Sequence, residues 1–145
     1  MAIAIQNRQR VVKMQTATVK RKLQQAMAYL GCADSELSIV FVNDQLIRTL
    51  NRDYRQQDRS TNVLAFPQTM AHANMPASTL LGDVIVSLPT AAREAHFLQQ
   101  SLEERVTFLL IHGLLHLLGY DHEQSPTQRH RMEALEVEVM RHLQH

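Results

Sequence analysis

Three histidines lie close together in the C-terminal third of the chain, in the segment IHGLLHLLGYDHE at residues 111–123. His112 and His116 are four residues apart, so on a helix their imidazoles project from one face, about one turn apart. Gly119 favours a turn after that helix, which brings His122 within reach as a third nitrogen. Three imidazoles leave the fourth position of a zinc ion open, as catalytic sites do. The pattern therefore predicts one Zn²⁺, which lowers the pKa of coordinated water toward about 7.

The alternative interpretation is that these are separate core or surface histidines. The helix around His112 and His116 is otherwise almost wholly aliphatic. Two imidazoles without partners in such surroundings would cost desolvation energy with no compensating interaction. Metal ligation accounts for both residues and is the preferred interpretation.

The spacing HxxxHxxGxxH is also that of the metzincin proteases, in which a glutamate general base follows the first histidine. Gly113 occupies that position here and cannot accept a proton, so a protease would keep its metal and lose its base. Candidate substitutes are Asp121 and Glu123 beside His122, and Asp83 in the segment LLGDVIVS. Asp121 could equally orient a ligand histidine or cap the turn, and the sequence leaves these roles open.

Helices and strands alternate along the chain. Strand patterns occur near the N-terminus and over residues 37–42, 63–66 and 80–87. Helical periodicity is found over residues 16–30, 43–50, 89–99, 102–118 and from 125 onward. A polar loop is predicted from Arg52 to Thr61, and an irregular loop over residues 67–79. This order predicts an α/β or α+β domain in which helices cover one sheet.

Local signals mark several helix ends. Asn43 can cap the helix that follows it, and Ser101 with Glu104 forms the capping-box pattern ahead of the histidine-bearing helix. Gly31 and Gly119 stand where helices should end. These signals fix the position of the histidines relative to the end of their helix.

Length and composition exclude several classes of protein. A chain of 145 residues predicts one domain, and one cysteine excludes both a disulfide scaffold and a cysteine-rich zinc module. The N-terminus lacks the order of a secretory signal. The apolar stretch 106–118 is interrupted by two histidines and is too short to span a bilayer. We therefore expect a cytoplasmic protein with no membrane partner.

The net charge of +1 conceals an uneven distribution of charge. The first 33 residues carry six basic and no acidic side chains, whereas the remainder carries nine basic and fourteen acidic ones. The basic segment is either a solvated helix face or a patch that faces phosphates. Aromatic residues make up only 5% of the chain and tryptophan is absent, so a base-stacking platform is not expected.

Three segments resemble a single bacterial family. HGLLHLLGYDH, at residues 112–122, matches every fixed position of HGxLHLxGYDH, the signature of the YbeY family of zinc-dependent rRNA-maturation endoribonucleases. LNRDYRQQDRSTNVLAFP, at residues 50–67, is similar to the family's LNxxYRxxDxPTDVLSFP, and LLGDVIVS resembles its LGDIVIS strand. The second segment departs from the family pattern at Ser60, Asn62 and Ala65.

This resemblance implies a single α/β domain over residues 1–145, with a small mixed sheet of about four strands surrounded by helices and a metal site at a helix end. It implies hydrolysis of single-stranded RNA, a part in maturation of the 3′ end of small-subunit rRNA, and ribosome quality control. Expected partners are RNA and the ribosome or its proteins, not DNA. The implied zinc ligands are His112, His116 and His122, and the family's functional arginine falls on Arg55.

An arginine suits this chemistry because phosphodiester cleavage develops charge on the non-bridging oxygens, which a guanidinium can clamp at any working pH. The attacking group is either water or the ribose 2′-hydroxyl, and the sequence does not choose between them. Arg52 and Arg59 lie in the same segment, where each is interpretable as a solvated surface cation. A ribosome assembly factor with a largely structural zinc is the alternative to a nuclease.

Overall fold

The structure is a computed structural model that describes residues 3–68, 80–120 and 125–143. The described strands are β1 (Ile3–Asn7), β2 (Glu36–Val42), β3 (Val63–Pro67) and β4 (Leu80–Ser87). The described helices are α1 (Thr16–Tyr29), α2 (Asp44–Arg55), α3 (Leu88–Leu98), α4 (Leu102–Leu117) and α5 (Pro126–Leu143). The loop predicted over residues 67–79 lies outside the described residues from residue 69 onward.

The four strands form one mixed sheet in the order β1-β2-β4-β3. β1, β2 and β4 are parallel, and β3 pairs antiparallel with β4 at the edge. Parallel neighbours need crossover connections, which α1 supplies between β1 and β2. The expected α/β domain with a small mixed sheet surrounded by helices is confirmed.

The two faces of the sheet carry different helices because successive strand residues point to opposite sides. Val84 and Val86 of β4 belong to the main apolar core with residues of α1 and α4. Ile85 instead packs with Ile47 of α2. Helix α5 adds a second layer, since Met132 and Val139 pack against Ile111 of α4. Helix α4 therefore lies between the sheet and α5.

The local cap signals are confirmed. Oδ1 of Asn43 accepts a hydrogen bond from the backbone N–H of Leu46 at 2.8 Å. Ser101 and Glu104 form both halves of the capping box at 3.1 Å each. Caps depend on residues a few positions apart, which is why the sequence alone predicts them well.

One predicted boundary is wrong. Helix α2 continues through Arg52 to Arg55, where the sequence predicted a loop from Arg52. Gln56 ends the helix in the left-handed conformation, with φ 57°. Because Asn51 is buried, the inner face of α2 extends beyond Leu50, the last residue of the apolar pattern in the sequence. Arg55 is consequently held by a helix rather than by a loop.

No helix in the described ranges is both long enough and apolar enough to cross a bilayer.

The start of α2 is joined to the start of α3 by a hydrogen-bonded carboxylate. Oδ1 of Asp44 accepts from the hydroxyls of Ser87 at 2.6 Å and Thr90 at 2.5 Å, and Oδ2 pairs with Arg93 at 2.8 Å. Burial raises the pKa of Asp44, but the hydrogen bonds from Ser87, Thr90 and Arg93 outweigh it and hold the pKa below its ordinary value. This cluster orients the helix that carries Arg55.

We expect Asp44→Asn to lower the free energy of unfolding at pH 7 by roughly 1 kcal/mol, a modest loss because the side chain is partly open to solvent. A carboxylate whose pKa falls on folding stabilises the fold above its unfolded pKa of about 3.9, and this contribution is lost as the pH falls through the folded pKa. The difference between wild type and variant should therefore shrink in urea unfolding below about pH 4. An equal difference at pH 7 and pH 3 would contradict this assignment.

Candidate active-site cavity

Helix α4 presents two of the predicted ligands. His112 and His116 lie one turn apart on it, and both are half-buried. The residues between and around them are buried against the sheet and α5, including Ile111, Leu114 and Leu115. The helix thus keeps its aliphatic faces in the core while the two imidazoles share its remaining face.

Gly113 brings the histidine-bearing helix unusually close to the sheet. A Cβ added at Gly113 would lie 2.6 Å from Cγ1 of Val84 and 3.1 Å from its Cγ2. A metzincin-type glutamate at this position would therefore have to enter the packed core against β4. The absence of a base after the first histidine thus has a packing cause, which further disfavours the protease interpretation.

The end of α4 is a hydrogen-bonded turn that redirects the chain. The N–H of Gly119 bonds the carbonyl of His116 and the N–H of Tyr120 bonds that of Leu115, each at 3.1 Å. Gly119 has φ +105°, a conformation that favours glycine. The turn is the one expected before His122. His122 itself, with Asp121 and Glu123, lies outside the described residues.

A cavity of about 330 Å³ brings Arg55 and His112 together. Arg55 reaches it from the last turn of α2 and His112 from α4. The rest of its described lining comes from Asn51 and from the segment that joins α2 to β3, through Gln57, Arg59, Ser60, Thr61, Asn62 and Val63. The volume is at the lower end of the range of about 300–1,000 Å³ for ligand pockets. Two residues predicted separately thus border one space.

The segment after α2 is held by the buried side chain of Asn51. Its Nδ2 donates to the backbone carbonyl of Arg59 at 2.9 Å, and the backbone carbonyl of Asn51 accepts from the N–H of Gln57 at 3.2 Å. The guanidinium of Arg59 donates in turn to the Gln57 side chain at 2.8 Å. Asn51 is only 1% exposed, so it fixes the cavity wall rather than presenting itself to solvent.

The described lining of the cavity is suited to an anion. It includes Arg55 and Arg59 and no carboxylate. The hydroxyl groups of Ser60 and Thr61 supply hydrogen-bonding capacity, whereas Nδ2 of Asn62 donates to Glu94 at 3.2 Å. A guanidinium remains charged at any working pH and can hold two oxygens of one phosphate.

Asp83, one of the candidate bases, lies on the face of the sheet opposite to the face that packs against α4. It borders a second cavity, of about 380 Å³, with Leu50, Tyr54 and Phe66 among its neighbours. The adjacent Val84 is the residue that faces Gly113 of α4. Because neighbouring strand residues point to opposite faces, Asp83 is not placed to act beside His112.

One residue of the candidate site, Glu136, is not predicted from the sequence. Oε2 of Glu136, on α5, lies within hydrogen-bonding distance of Nδ1 of His112. Glu136 is only 5% exposed, although the sequence indicated an apolar inner face for this helix. A glutamate between Met132 and Val139 was the available signal.

The described histidines are compatible with a metal site but do not complete one. No cluster of three or more potential metal ligands occurs within residues 3–68, 80–120 and 125–143. A neutral imidazole whose Nδ1–H is bonded by a carboxylate is the usual form of a zinc-ligating histidine. Nδ1 of His112 lies beside the carboxylate of Glu136, a position compatible with this form, and His116 follows one turn later. These two histidines therefore fit zinc, and the third predicted ligand, His122, lies outside the described residues.

An α/β domain in which a buried helix and an adjacent arginine border one polar cavity has the components of an enzyme that acts on an anionic substrate. The family model described as "Endoribonuclease YbeY" matches residues 4–144 of the chain. The chain belongs to the YbeY endoribonuclease family.

Individual relatives are similar in sequence to this chain over most of its length. A Geobacter metallireducens protein named endoribonuclease YbeY is 44% identical over 140 residues, which cover 96% of this chain and 93% of that protein. An Aquifex aeolicus protein of the same name is 39% identical over 128 residues, covering 88% and 83% respectively. The solution structure of TM1509 from Thermotoga maritima is similar with a TM-score of 0.67 at 26% identity, covering 97% of this chain and 88% of that one.

We expect Gly113→Ala to lower the free energy of unfolding by about 1–3 kcal/mol, because the new methyl group overlaps Val84. This loss should exceed the gain of about 1 kcal/mol in helix propensity. Val84→Ala removes the opposing methyl groups, so Gly113→Ala should cost less in that background. Urea unfolding of the four proteins gives the coupling energy. Additive effects would show that the two residues do not limit the approach of α4.

Proposed function

We propose that the chain is a zinc-dependent endoribonuclease that cleaves single-stranded RNA, and that the cavity between α2 and α4 binds the scissile phosphate. The observation that carries the proposal is the presence of Arg55 and His112 in the lining of one cavity. Membership of the family, whose model is described as an endoribonuclease, supports the class of reaction.

In this proposal Arg55 is the catalytic residue that steadies charge on the phosphate. Cleavage breaks one P–O bond while an incoming oxygen forms another, and the non-bridging oxygens carry more charge in the transition state than in the substrate. A guanidinium positioned by a helix meets that charge without reorganisation. The last turn of α2 supplies this positioning, because the Asp44 cluster holds its start and Asn51 holds the segment beyond it.

The residues proposed to hold zinc are His112, His116 and His122. When bound, the ion supplies a Lewis acid and lowers the pKa of water. Glu136 contributes a carboxylate next to His112. Gly113 leaves the position used by metzincin bases without a side chain, so a protease-like proton transfer is not part of the proposal.

The proposed substrate in the cell is the 3′ end of small-subunit rRNA, with the ribosome or its proteins as partners, in the cytoplasm. The basic N-terminal segment supports this choice, since six cations among the first 33 residues can contact a phosphate backbone. Cleavage should weaken steeply with salt if the segment takes part. The alternative, an assembly factor with a largely structural zinc, predicts RNA association with little turnover.

Arg55→Ala should reduce the cleavage rate of a labelled single-stranded RNA by about 10²–10³-fold, the usual loss of one transition-state donor. The zinc content of the variant should be unchanged, because Arg55 is not a proposed ligand. Arg52→Ala is the matched control, since Arg52 lies on the same helix, pairs with Asp53 and is 55% exposed.

Single-turnover rates on single-stranded RNA, duplex RNA and DNA of the same sequence test the substrate class. Product ends distinguish the nucleophile: a 2′,3′-cyclic phosphate indicates the 2′-hydroxyl, and a 5′-phosphate or 3′-phosphate without a cyclic precursor indicates water. Equal cleavage rates for wild type and Arg55→Ala would exclude a catalytic role for Arg55. Absence of cleavage by wild type with zinc bound would favour the assembly-factor alternative.

The zinc content of histidine variants gives an independent prediction. Wild type should bind about one equivalent of zinc, and His116→Ala should lose most of it, since two remaining nitrogens hold zinc poorly. His130→Ala is the control, because His130 is an exposed histidine on α5. Metal analysis after dialysis measures both variants. Unchanged zinc in His116→Ala would exclude this residue as a ligand.

A further inference from the structure

Glu136 is a buried acidic residue in an apolar layer. It lies between Met132 and Val139 on the face of α5 that packs against α4. Among residues 3–68, 80–120 and 125–143, Glu136 is the single buried residue with an ionisable acidic or basic side chain. An acidic residue at such a position loses its hydration, so it is tolerated only where a polar group compensates.

The compensating group is the imidazole of His112. The contact joins Oε2 of Glu136 to Nδ1 of His112, and the side chains are 6% and 27% exposed respectively. The other α5 carboxylate with a described hydrogen bond, Glu138, contacts Tyr29 at the exposed surface. Glu136 is therefore distinguished from its neighbour by both burial and partner.

The chemistry of this pair determines where the imidazole carries its proton. An ionised carboxylate can only accept hydrogen bonds, so a neutral imidazole facing it places its N–H at Nδ1. The lone pair then belongs to Nε2, at the opposite side of the ring. A carboxylate also fixes the angle of the ring, because the hydrogen bond is directional.

We propose that Glu136 is a positioning residue that holds His112 in the Nδ1–H tautomer, so that Nε2 is the nitrogen presented for ligation in the cavity bordered by Arg55. This inference rests on the proposed function, because it assigns His112 a ligand role. Helix α5 thereby acts on the site through α4, without contributing a ligand of its own.

The tautomer can be observed in the metal-free protein without RNA. Long-range proton–nitrogen correlation spectra near pH 8.5, about two units above the ordinary histidine pKa of about 6.5, distinguish Nδ1–H from Nε2–H. Wild-type His112 should show one Nδ1–H form. Glu136→Met, an unbranched apolar replacement, should give a mixture, and Glu136→Gln should keep a larger share of Nδ1–H than Glu136→Met, because its amide oxygen can still accept while its NH2 can also donate.

Zinc affinity provides the second readout, measured by competition with a chelator of known affinity. Glu136→Met should weaken zinc binding about 10–100-fold, the usual effect of removing a ligand's carboxylate partner. Glu136→Gln should lose less. Glu138→Met is the matched control, since it removes an α5 carboxylate that does not contact His112, and it should bind zinc as wild type does.

The results that overturn the proposal are specific. An Nε2–H tautomer in wild type overturns it even if Glu136→Met does not fold. A folded Glu136→Met that binds zinc within twofold of wild type also overturns it, because a purely structural hydrogen bond predicts lower stability with unchanged affinity. If wild type binds no zinc, the proposed metal site fails, whereas the tautomer spectrum still decides the role of Glu136.

Discussion

The close approach of α4 to β4 at Gly113 is the constraint on which the rest of the structure depends. Because the glycine has no side chain, the helix backbone settles against Val84 and becomes the central layer of the molecule. A helix buried between a sheet and another helix has little surface for polar residues. His112 and His116 use that surface, and the surrounding elements supply their neighbours.

The surroundings of His112 come from parts of the chain that are far apart in sequence. Helix α2 brings Arg55 to the cavity, and the segment held by Asn51 forms its wall. Helix α5 closes the other side of α4 and places Glu136 against the imidazole. The site thus combines a polar cavity lined by two arginines with a buried carboxylate that contacts one histidine.

Much of this architecture is predictable from the sequence because its signals are local. The caps at Asn43 and Ser101 and the glycine turn at Gly119 each involve residues a few positions apart, and they place the elements correctly. The order of the strands was not predicted, since pairing between distant strands leaves no short-range signal. Glu136 is not predicted from the sequence because its partner is on another helix. In the sequence alone, a single carboxylate within an apolar stripe is indistinguishable from an exposed residue.

Glu136 lies in the last described helix, so it is synthesised after the histidine that it contacts. Chains are synthesised from the N-terminus, so α2 and α4 are synthesised before α5. A nascent chain at that stage contains Arg55 and both helix histidines, but not the carboxylate that faces His112. Packing of α5, which also buries Met132 and Val139, therefore completes the surroundings of this histidine.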